Sequence, residues 1–429
     1  MFNLHSNPNT CSSGGRLAPS WPWRFGRIGI QSSMLLCLAV LTAIGCESAI
    51  PEPQQGHILR EASWPIAFSP DGKRLLTRSQ ADDKIVKVWD PHTGQTLSEF
   101  SGPTIKYLDP QTGETFSERL SIGSFDLSPK GTLAASVERD HRVPPPPSPI
   151  SQKEVEIRLR EGCLLLLWDT VTGKVVRSVP IGLTGGARTF SADGKLLAIS
   201  DARERVRLID VQTGKVLPSP DFPPLAANHP LYHLAFSPDG KRISCGNQVT
   251  GGGTVSVWDL ASDLASGTRA WECQIKGYPL SLAYSPDGSL LAACDGTGNI
   301  HIWDAADGKH HFTLSVQAAG VNKITAHPPD TRIGGLARSG QAVRVTKIAF
   351  HPNGRYLAST GDTATRIWDL RAKKVIHTLD HAPRHGDDIA YSPDGKWLAT
   401  ACPPNVATPE HVEGSFVIVW NLQPAKESK

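Results

Sequence analysis

The chain has 429 residues, of which 39% are hydrophobic, and it contains 11 tryptophans, enough apolar material for a large core. It carries 44 basic and 41 acidic residues, and the only charged residues before Cys46 are Arg16, Arg24 and Arg27. The remainder therefore holds 44 − 3 = 41 basic against 41 acidic residues. Phosphate binding needs a net basic face, so this neutral body argues against nucleic acid as the main partner.

Residues 1–45 have the pattern of a signal peptide. Three arginines precede a short apolar run, Met34 to Leu41, which is too short for an ordinary membrane span. The segment from Ala43 to Cys46 resembles a bacterial lipobox, and this resemblance implies cleavage before Cys46 and lipidation of that cysteine. Plain secretion and an uncleaved anchor are the alternatives, and Met34 is an alternative start of translation.

Residues 46–57 are rich in proline and are expected to form a leash. After it, a short pattern recurs seven times: an apolar run, Ser-Pro-Asp-Gly or a close variant, and a second apolar run. The copies lie at 67–72, 126–131, 190–194, 235–240, 283–288, 349–354 and 390–395. Proline presets a type I turn and glycine can adopt the left-handed conformation that follows it, so each copy predicts a tight β-hairpin.

A third apolar strand follows each hairpin and ends in Trp-Asp or a variant of it. These endings are Trp89-Asp90, Trp168-Asp169, Ile209-Asp210, Trp258-Asp259, Trp303-Asp304, Trp368-Asp369 and Trp420-Asn421. Several are followed by a turn ending in glycine and by a further β-rich run, such as Lys174 to Val179. The repeating unit is therefore four antiparallel strands.

These residues resemble the WD40 repeat family, whose unit is one four-stranded blade of a β-propeller. The resemblance covers residues 58–422 and implies an all-β, seven-bladed propeller, with eight blades as the alternative; residues 423–429 form a polar tail. The seventh unit ends at Leu422 without a fourth strand. We expect Ile58 to Glu61 to supply that strand and close the ring, which would remove exposed sheet edges.

Three insertions lengthen the repeats. Residues 103–120 contain a partial copy of the preceding strand-turn-strand segment. Residues 142–161 contain a proline run that favours polyproline II. Residues 315–345 contain a possible worn-down blade, which is the reason for the eight-blade alternative.

The sequence contains no phosphate loop, zinc-protease motif, Cys-x-x-Cys or nucleophile elbow. The nearest approaches to a metal cluster are His310-His311 and the set His377, His381, His385, Asp387 and Asp388. Structural roles are favoured for these histidines, because His381 lies near the place where the family has a Gly-His dipeptide that ties a blade together. Most blades lack that dipeptide, so the family's buried Asp-His-Ser-Trp network is expected to be incomplete.

Five cysteines follow Cys46, an odd number without paired spacing. They are Cys163, Cys245, Cys273, Cys294 and Cys402. Cys245, Cys294 and Cys402 fall where other repeats place Ala, Ser or Thr on the second strand, so we expect them to be small buried residues and not disulfide or metal ligands.

The resemblance implies a non-catalytic protein-interaction scaffold without cofactors or metals. With the leader, this gives an exported, lipid-anchored monomer in the cell envelope that binds unidentified proteins and is held at the membrane through Cys46; a secreted or periplasmic form is the alternative. The competing hypothesis is an enzyme or small-ligand sensor with a site at the mouth of the propeller. A cluster of inward-facing titratable residues at one end of the central channel would favour that hypothesis, whereas a channel lined by Val, Ala and Ser alone would count against it.

Overall fold

The computed structural model describes most of the chain from Ile50 onward. The described residues are 50–101, 104–108, 115–119, 125–139, 163–181, 184–201, 206–218, 231–260, 267–316, 344–361, 364–381, 385–403 and 414–423. These residues form strands and turns, and none of them belongs to a helix long and apolar enough to cross a membrane.

The described strands build seven four-stranded antiparallel sheets, each of which is one blade. Within a blade the first strand lies at the central channel and the last at the perimeter. Blade 1 contains β2 (Ala62–Phe68), β3 (Leu75–Ser79), β4 (Ile85–Trp89) and β5 (Thr96–Ser101). Blade 2 contains β8 (Phe125–Leu127), β9 (Leu133–Arg139), β10 (Cys163–Asp169) and β11 (Val175–Pro180). Blade 3 contains β12 (Thr184–Phe190), β13 (Leu196–Asp201), β14 (Val206–Asp210) and β15 (Val216–Leu217).

The remaining blades follow the same order. Blade 4 contains β16 (Leu231–Phe236), β17 (Arg242–Val249), β18 (Gly252–Asp259) and β19 (Thr268–Ile275). Blade 5 contains β20 (Pro279–Tyr284), β21 (Leu290–Asp295), β22 (Asn299–Asp304) and β23 (His310–Ser315). Blade 6 contains β24 (Val345–Phe350), β25 (Tyr356–Gly361), β26 (Ala364–Asp369) and β27 (Lys374–Asp380). Blade 7 contains β28 (Asp388–Tyr391), β29 (Trp397–Cys402), β30 (Phe416–Asn421) and β1 (Gln54–Arg60).

This architecture confirms the seven-bladed propeller. The partial copy in the first insertion forms its own hairpin, in which β6 (Thr104–Leu108) pairs with β7 (Thr115–Arg119) as a separate two-stranded sheet. The proline run of the second insertion and most of the third lie outside the described residues.

The ring closes where the two ends of the chain meet. Strand β1 pairs with β30 from Gln54↔Asn421 to Arg60↔Phe416, so the amino-terminal segment supplies the missing strand of blade 7, as expected. The strand is longer than the expected four residues. Ile50 is also buried, at 8% exposure, in the apolar cluster between blades 6 and 7. Part of the segment expected to be a leash therefore belongs to the ring, because its apolar residue completes an inter-blade core.

The hydrophobic core consists of seven clusters, one at each seam between neighbouring blades. Alternation along the strands explains this arrangement, since successive side chains point to opposite faces of a sheet. In β3, Leu75 packs toward blade 7 and Leu76 toward blade 2. Every blade therefore contributes to two cores and cannot bury both of its faces alone.

Both kinds of turn lie on the same rim of the ring, here called the turn rim. In antiparallel blades the turn after the first strand and the turn after the third strand share one side, and backbone hydrogen bonds such as Val211 N to Lys195 O join them. In most Ser-Pro-Asp-Gly turns the serine hydroxyl donates to the aspartate, as Ser237 does to Asp239 at 2.6 Å. That carboxylate also accepts from the amide two residues on, which fixes the turn.

Neighbouring turns also contact one another around the rim. A Cβ placed on Gly131 would lie 2.5 Å from Pro70 Cδ of blade 1, so glycine is required there by contact as well as by its φ of 65°. The corresponding Gly240 of blade 4 has nothing within 4 Å, because blade 3 has Ala192 in place of proline. The contact chain is therefore broken between blades 3 and 4.

Ring closure is tested by two neighbouring residues of β1. Leu59 is 1% exposed in the seam between blades 7 and 1, whereas Ile58 is 43% exposed on the opposite face. We expect Leu59→Ala to lower the free energy of unfolding by about 2–5 kcal/mol through lost burial and a cavity. The matched Ile58→Ala should cost less than about 0.5 kcal/mol, as exposed sites usually do. Urea denaturation measures both, and equal effects would contradict the closure.

Candidate functional site

The predicted signature residues have structural surroundings. The tryptophans lie at or next to the ends of the third strands, and Trp168 and Trp368 are among the largest fully buried side chains. Trp368 Nε1 donates to Ser359 Oγ at 2.8 Å. Asp169 accepts from the hydroxyl and the amide of Thr172 at 2.8 and 2.7 Å, and this bonding lowers the pKa of its carboxyl. Cys46, the predicted lipidation site, lies outside the described residues.

The histidines considered for metal binding have separate partners. His377 Nε2 lies 3.0 Å from the Ile50 carbonyl, His381 Nε2 lies 3.5 Å from Thr360 Oγ1, and His385 Nε2 lies 3.3 Å from Asp387 Oδ1. No group of three metal-binding side chains occurs in the part of the chain that the structure describes.

Three of the five later cysteines are buried on second strands. Cys245, Cys294 and Cys402 are each 3% exposed or less, as expected for small core residues. None of the five is joined in a disulfide. Burial raises the pKa of the Cys294 thiol to about 12, which makes it a poor nucleophile.

Side chains in the channel wall accept hydrogen bonds from the inner-strand amides of the next blade, at equivalent positions in different blades. Each inner strand has one edge facing the channel with no further strand beside it, so its amides need other acceptors. Asp388 Oδ2 accepts from Ile66 N of blade 1 at 3.0 Å. His233 Nδ1 accepts from Leu282 N of blade 5 at 3.3 Å. In each pair, the accepting side chain belongs to the residue four positions before the serine of its blade's hairpin turn. The donating amide belongs to the residue three positions before the serine of the next blade's hairpin turn.

Irregular pairing supports this rule. In blades 4 and 6 one extra residue, 232 or 346, interrupts the inner-strand pairing just before His233 and Lys347. Such β-bulges redirect the side chains that follow them. Blade 5 has the same bulge before Ser281, whose hydroxyl lies 3.4 Å from Ile348 N of blade 6.

Two charged residues depart from the pattern of the inner strands. Asp126 stands where five other blades have alanine, and Arg188 stands where the others have a large apolar residue. The Arg188 Nε atom lies 3.1 Å from Asp126 Oδ2, with the arginine side chain 6% exposed and the aspartate 41% exposed. The two departures therefore compensate each other across the seam between blades 2 and 3.

Lys347 connects the other side of the channel. It is the residue four before the turn in blade 6, and its ammonium group cannot accept an amide hydrogen. Its Nζ atom instead lies 3.4 Å from His233 Nε2 and 4.0 Å from Asp388 Oδ1, so it reaches blades 4 and 7. The amide of Ile389, without an acceptor from blade 6, donates to Asp388 Oδ1 at 3.0 Å.

We refer to Asp126, Arg188, His233, Lys347 and Asp388 as the channel cluster. Desolvation by the surrounding channel wall raises the pKa of Asp126 and of Asp388, while Arg188 and Lys347 respectively act to lower them. Burial lowers the pKa of His233 to about 3, and the positive charge of Lys347 contributes in the same direction. The imidazole is therefore neutral at pH 7.

The channel cluster was not predicted from the sequence. Asp388 was considered there only as a neighbour of possible metal ligands, and the other four residues were not singled out. The cluster could have been found by aligning the seven repeats on their hairpin turns. In that alignment its charged residues stand at inner-strand positions where other repeats have alanine, serine or aliphatic residues. Titratable side chains therefore face the channel, which is not lined by Val, Ala and Ser alone, and this favours the ligand-site hypothesis.

Comparisons with known proteins agree with the fold. The family model "WD domain, G-beta repeat" matches residues 62–90, 224–259, 271–304 and 334–369, in blades 1, 4, 5 and 6. The chain is similar to the WD repeat-containing protein SL1-17 of Schistosoma mansoni, with 26% identity over 60% of this chain and 70% of that protein.

It is also similar to the Arabidopsis thaliana transcriptional corepressor LEUNIG_HOMOLOG, with 23% identity over 48% of this chain and 27% of the relative. The chain therefore spans about a quarter of that longer relative. Four stretches of the chain therefore match the WD repeat, and seven four-stranded blades with Trp-Asp strand ends give the chain the architecture of WD40 repeat proteins.

Proposed function

We propose that this protein is an exported, lipid-anchored scaffold that binds other proteins through the perimeter of its ring. The observation that carries the proposal is the uneven distribution of exposed apolar side chains. Six of the large exposed apolar residues of the described chain lie on outer strands or adjoining turns of four consecutive blades, 7, 1, 2 and 3. They are Ile58, Leu97, Val171, Val175, Val176 and Val216, and they are 36–71% exposed.

The outer strands of the other three blades differ in composition. Exposed positions of β19 are Thr268, Arg269, Ala270, Glu272 and Gln274, and β23 exposes His310 and His311. Contiguous exposed apolar patches mark protein-interaction surfaces, and we infer that these side chains belong to such a patch. Outer strands also present backbone groups at a free edge, with which a strand of a partner can pair.

The arc is tested by charge substitutions on it and opposite it. We expect Leu97→Glu with Val176→Glu to abolish capture of the proteins that cross-link to the wild-type ring in cells, because charges at both sites oppose desolvation. The control Ala270→Glu, on an exposed position of β19, should leave capture unchanged. Mass spectrometry of cross-linked complexes measures both. Equal partner sets for the two variants, or no reproducible partner for the wild type, would contradict the proposal.

The membrane anchor is supported by the leader and by Cys46. We expect metabolic labelling with a radioactive fatty acid to mark the wild-type protein and to leave Cys46→Ala unlabelled and released from the membrane fraction. The variant Cys163→Ala is a matched control that keeps Cys46. Label retained by Cys46→Ala would remove the anchor and leave the scaffold function to be judged on the perimeter experiment alone.

A second candidate function is that of a small-ligand sensor with its site in the channel. The channel cluster favours it, because four charged side chains and one neutral histidine from five blades converge there. Two of the charged residues, Asp126 and Lys347, are 41% and 34% exposed.

A further inference from the structure

The hydrogen bonding of His233 determines which ring nitrogen carries its proton. Nδ1 accepts a hydrogen bond from the Leu282 amide, so Nδ1 carries no proton. A neutral imidazole has one acceptor nitrogen and one N–H. The proton therefore lies on Nε2, the nitrogen that faces Lys347.

Two hydrogen-bond donors consequently face each other in the channel. The Nε2–H of His233 and the ammonium of Lys347 are 3.4 Å apart, and neither can accept from the other. The carboxylate closest to Lys347 is Asp388, at 4.0 Å, and it accepts from the amides of Ile66 and Ile389. An oxygen lying within hydrogen-bond distance of both donors would satisfy both of them.

The channel beside these donors is lined by small side chains. Two residues further along the inner strands of blades 4, 5, 6 and 7 are Ala235, Ala283, Ala349 and Ala390, all partly exposed. Asp126, across the channel, is the charged exception at this level. Methyl groups, and not larger side chains, therefore line the inner strands next to the two donors.

We propose that His233 and Lys347 form a binding site for the carboxylate of a small organic acid. Ionised acceptors make shorter and stronger hydrogen bonds than neutral ones, and a carboxylate oxygen can accept from both donors at once. Arg188 and Lys347 provide two positive charges that partly offset the repulsion from Asp126 and Asp388. This inference rests on the sensor function and is independent of the perimeter scaffold, because it concerns purified protein without a partner.

The tautomer is tested by nuclear magnetic resonance of protein labelled with ¹⁵N-histidine. We expect the His233 signal, assigned by its loss in His233→Asn, to show a protonated Nε2 and to remain neutral as the pH falls from 8 to 4.5, since its pKa is lowered to about 3. Exposed His311 is the internal control for the labelling. A protonated Nδ1, or titration of His233 near pH 6.5, would overturn the inference.

Ligand binding is tested by titration with sodium acetate at constant ionic strength, followed through the amide signals of Leu282 and Ile348. We expect saturable shifts with a Kd on the order of 1–10 mM for a single carboxylate. Lys347→Met should weaken binding about 10-fold or more, the effect of losing a hydrogen bond to a charged group. Lys195→Met, whose side chain is 80% exposed on the turn rim, should bind like the wild type.

His233→Asn separates binding from folding. Its amide oxygen can still accept from Leu282 N, so the melting temperature should change little, while the donor on Nε2 is lost and acetate should bind more weakly. No saturable shift in the wild type, equal binding by Lys347→Met, or an equal response to sodium chloride would overturn the carboxylate site.

Discussion

The structure depends on the pairing of β1 with β30, which turns a row of sheets into a closed ring. Each blade has two apolar faces, and each face is buried only by the neighbouring blade. An open row would leave the outer face of blade 1 and of blade 7 in water. Because Leu59 and Ile50 bring apolar side chains from the amino-terminal segment into the last two seams, closure completes the core as well as the hydrogen bonding.

Closure creates a second constraint at the centre of the ring. Seven inner strands meet there with unpaired edges, and an orphaned buried amide is costly. Side chains such as Asp388 and Ser281 meet this demand by accepting hydrogen bonds from the next blade. Lys347 cannot accept an amide hydrogen bond. Its ammonium group instead lies beside the Nε2–H of His233, which places two donors together that the fold alone does not require. The ring closure that completes the fold therefore also creates the cluster of hydrogen-bond donors that could bind a ligand.

The sequence predicted the blades well because their signals are local. A Ser-Pro-Asp-Gly turn and a Trp-Asp strand end each specify conformation within a few residues. Because blade 7 lacked a fourth strand in the sequence, another segment had to supply it, and the amino-terminal strand was the candidate. The channel cluster was not predicted, because Asp126 and Arg188 meet only through the register between two blades. The burial of Ile50 was missed for a similar reason: a single apolar residue in a proline-rich segment has no periodicity, and its partners Leu379 and Trp420 lie more than 300 positions away.

The register of the closing strand also determines where the polypeptide joins the ring. Gln54, the first residue of β1, lies opposite Asn421, the last residue of β30, and that strand ends at the turn rim. The amino-terminal segment therefore approaches from the side of the Ser-Pro-Asp-Gly turns, and Ile50 is already fixed in the core. Under the lipid anchor proposed above, three residues, 47–49, would separate Cys46 from the buried Ile50, and the turn rim would be the side of the ring nearest to the anchor.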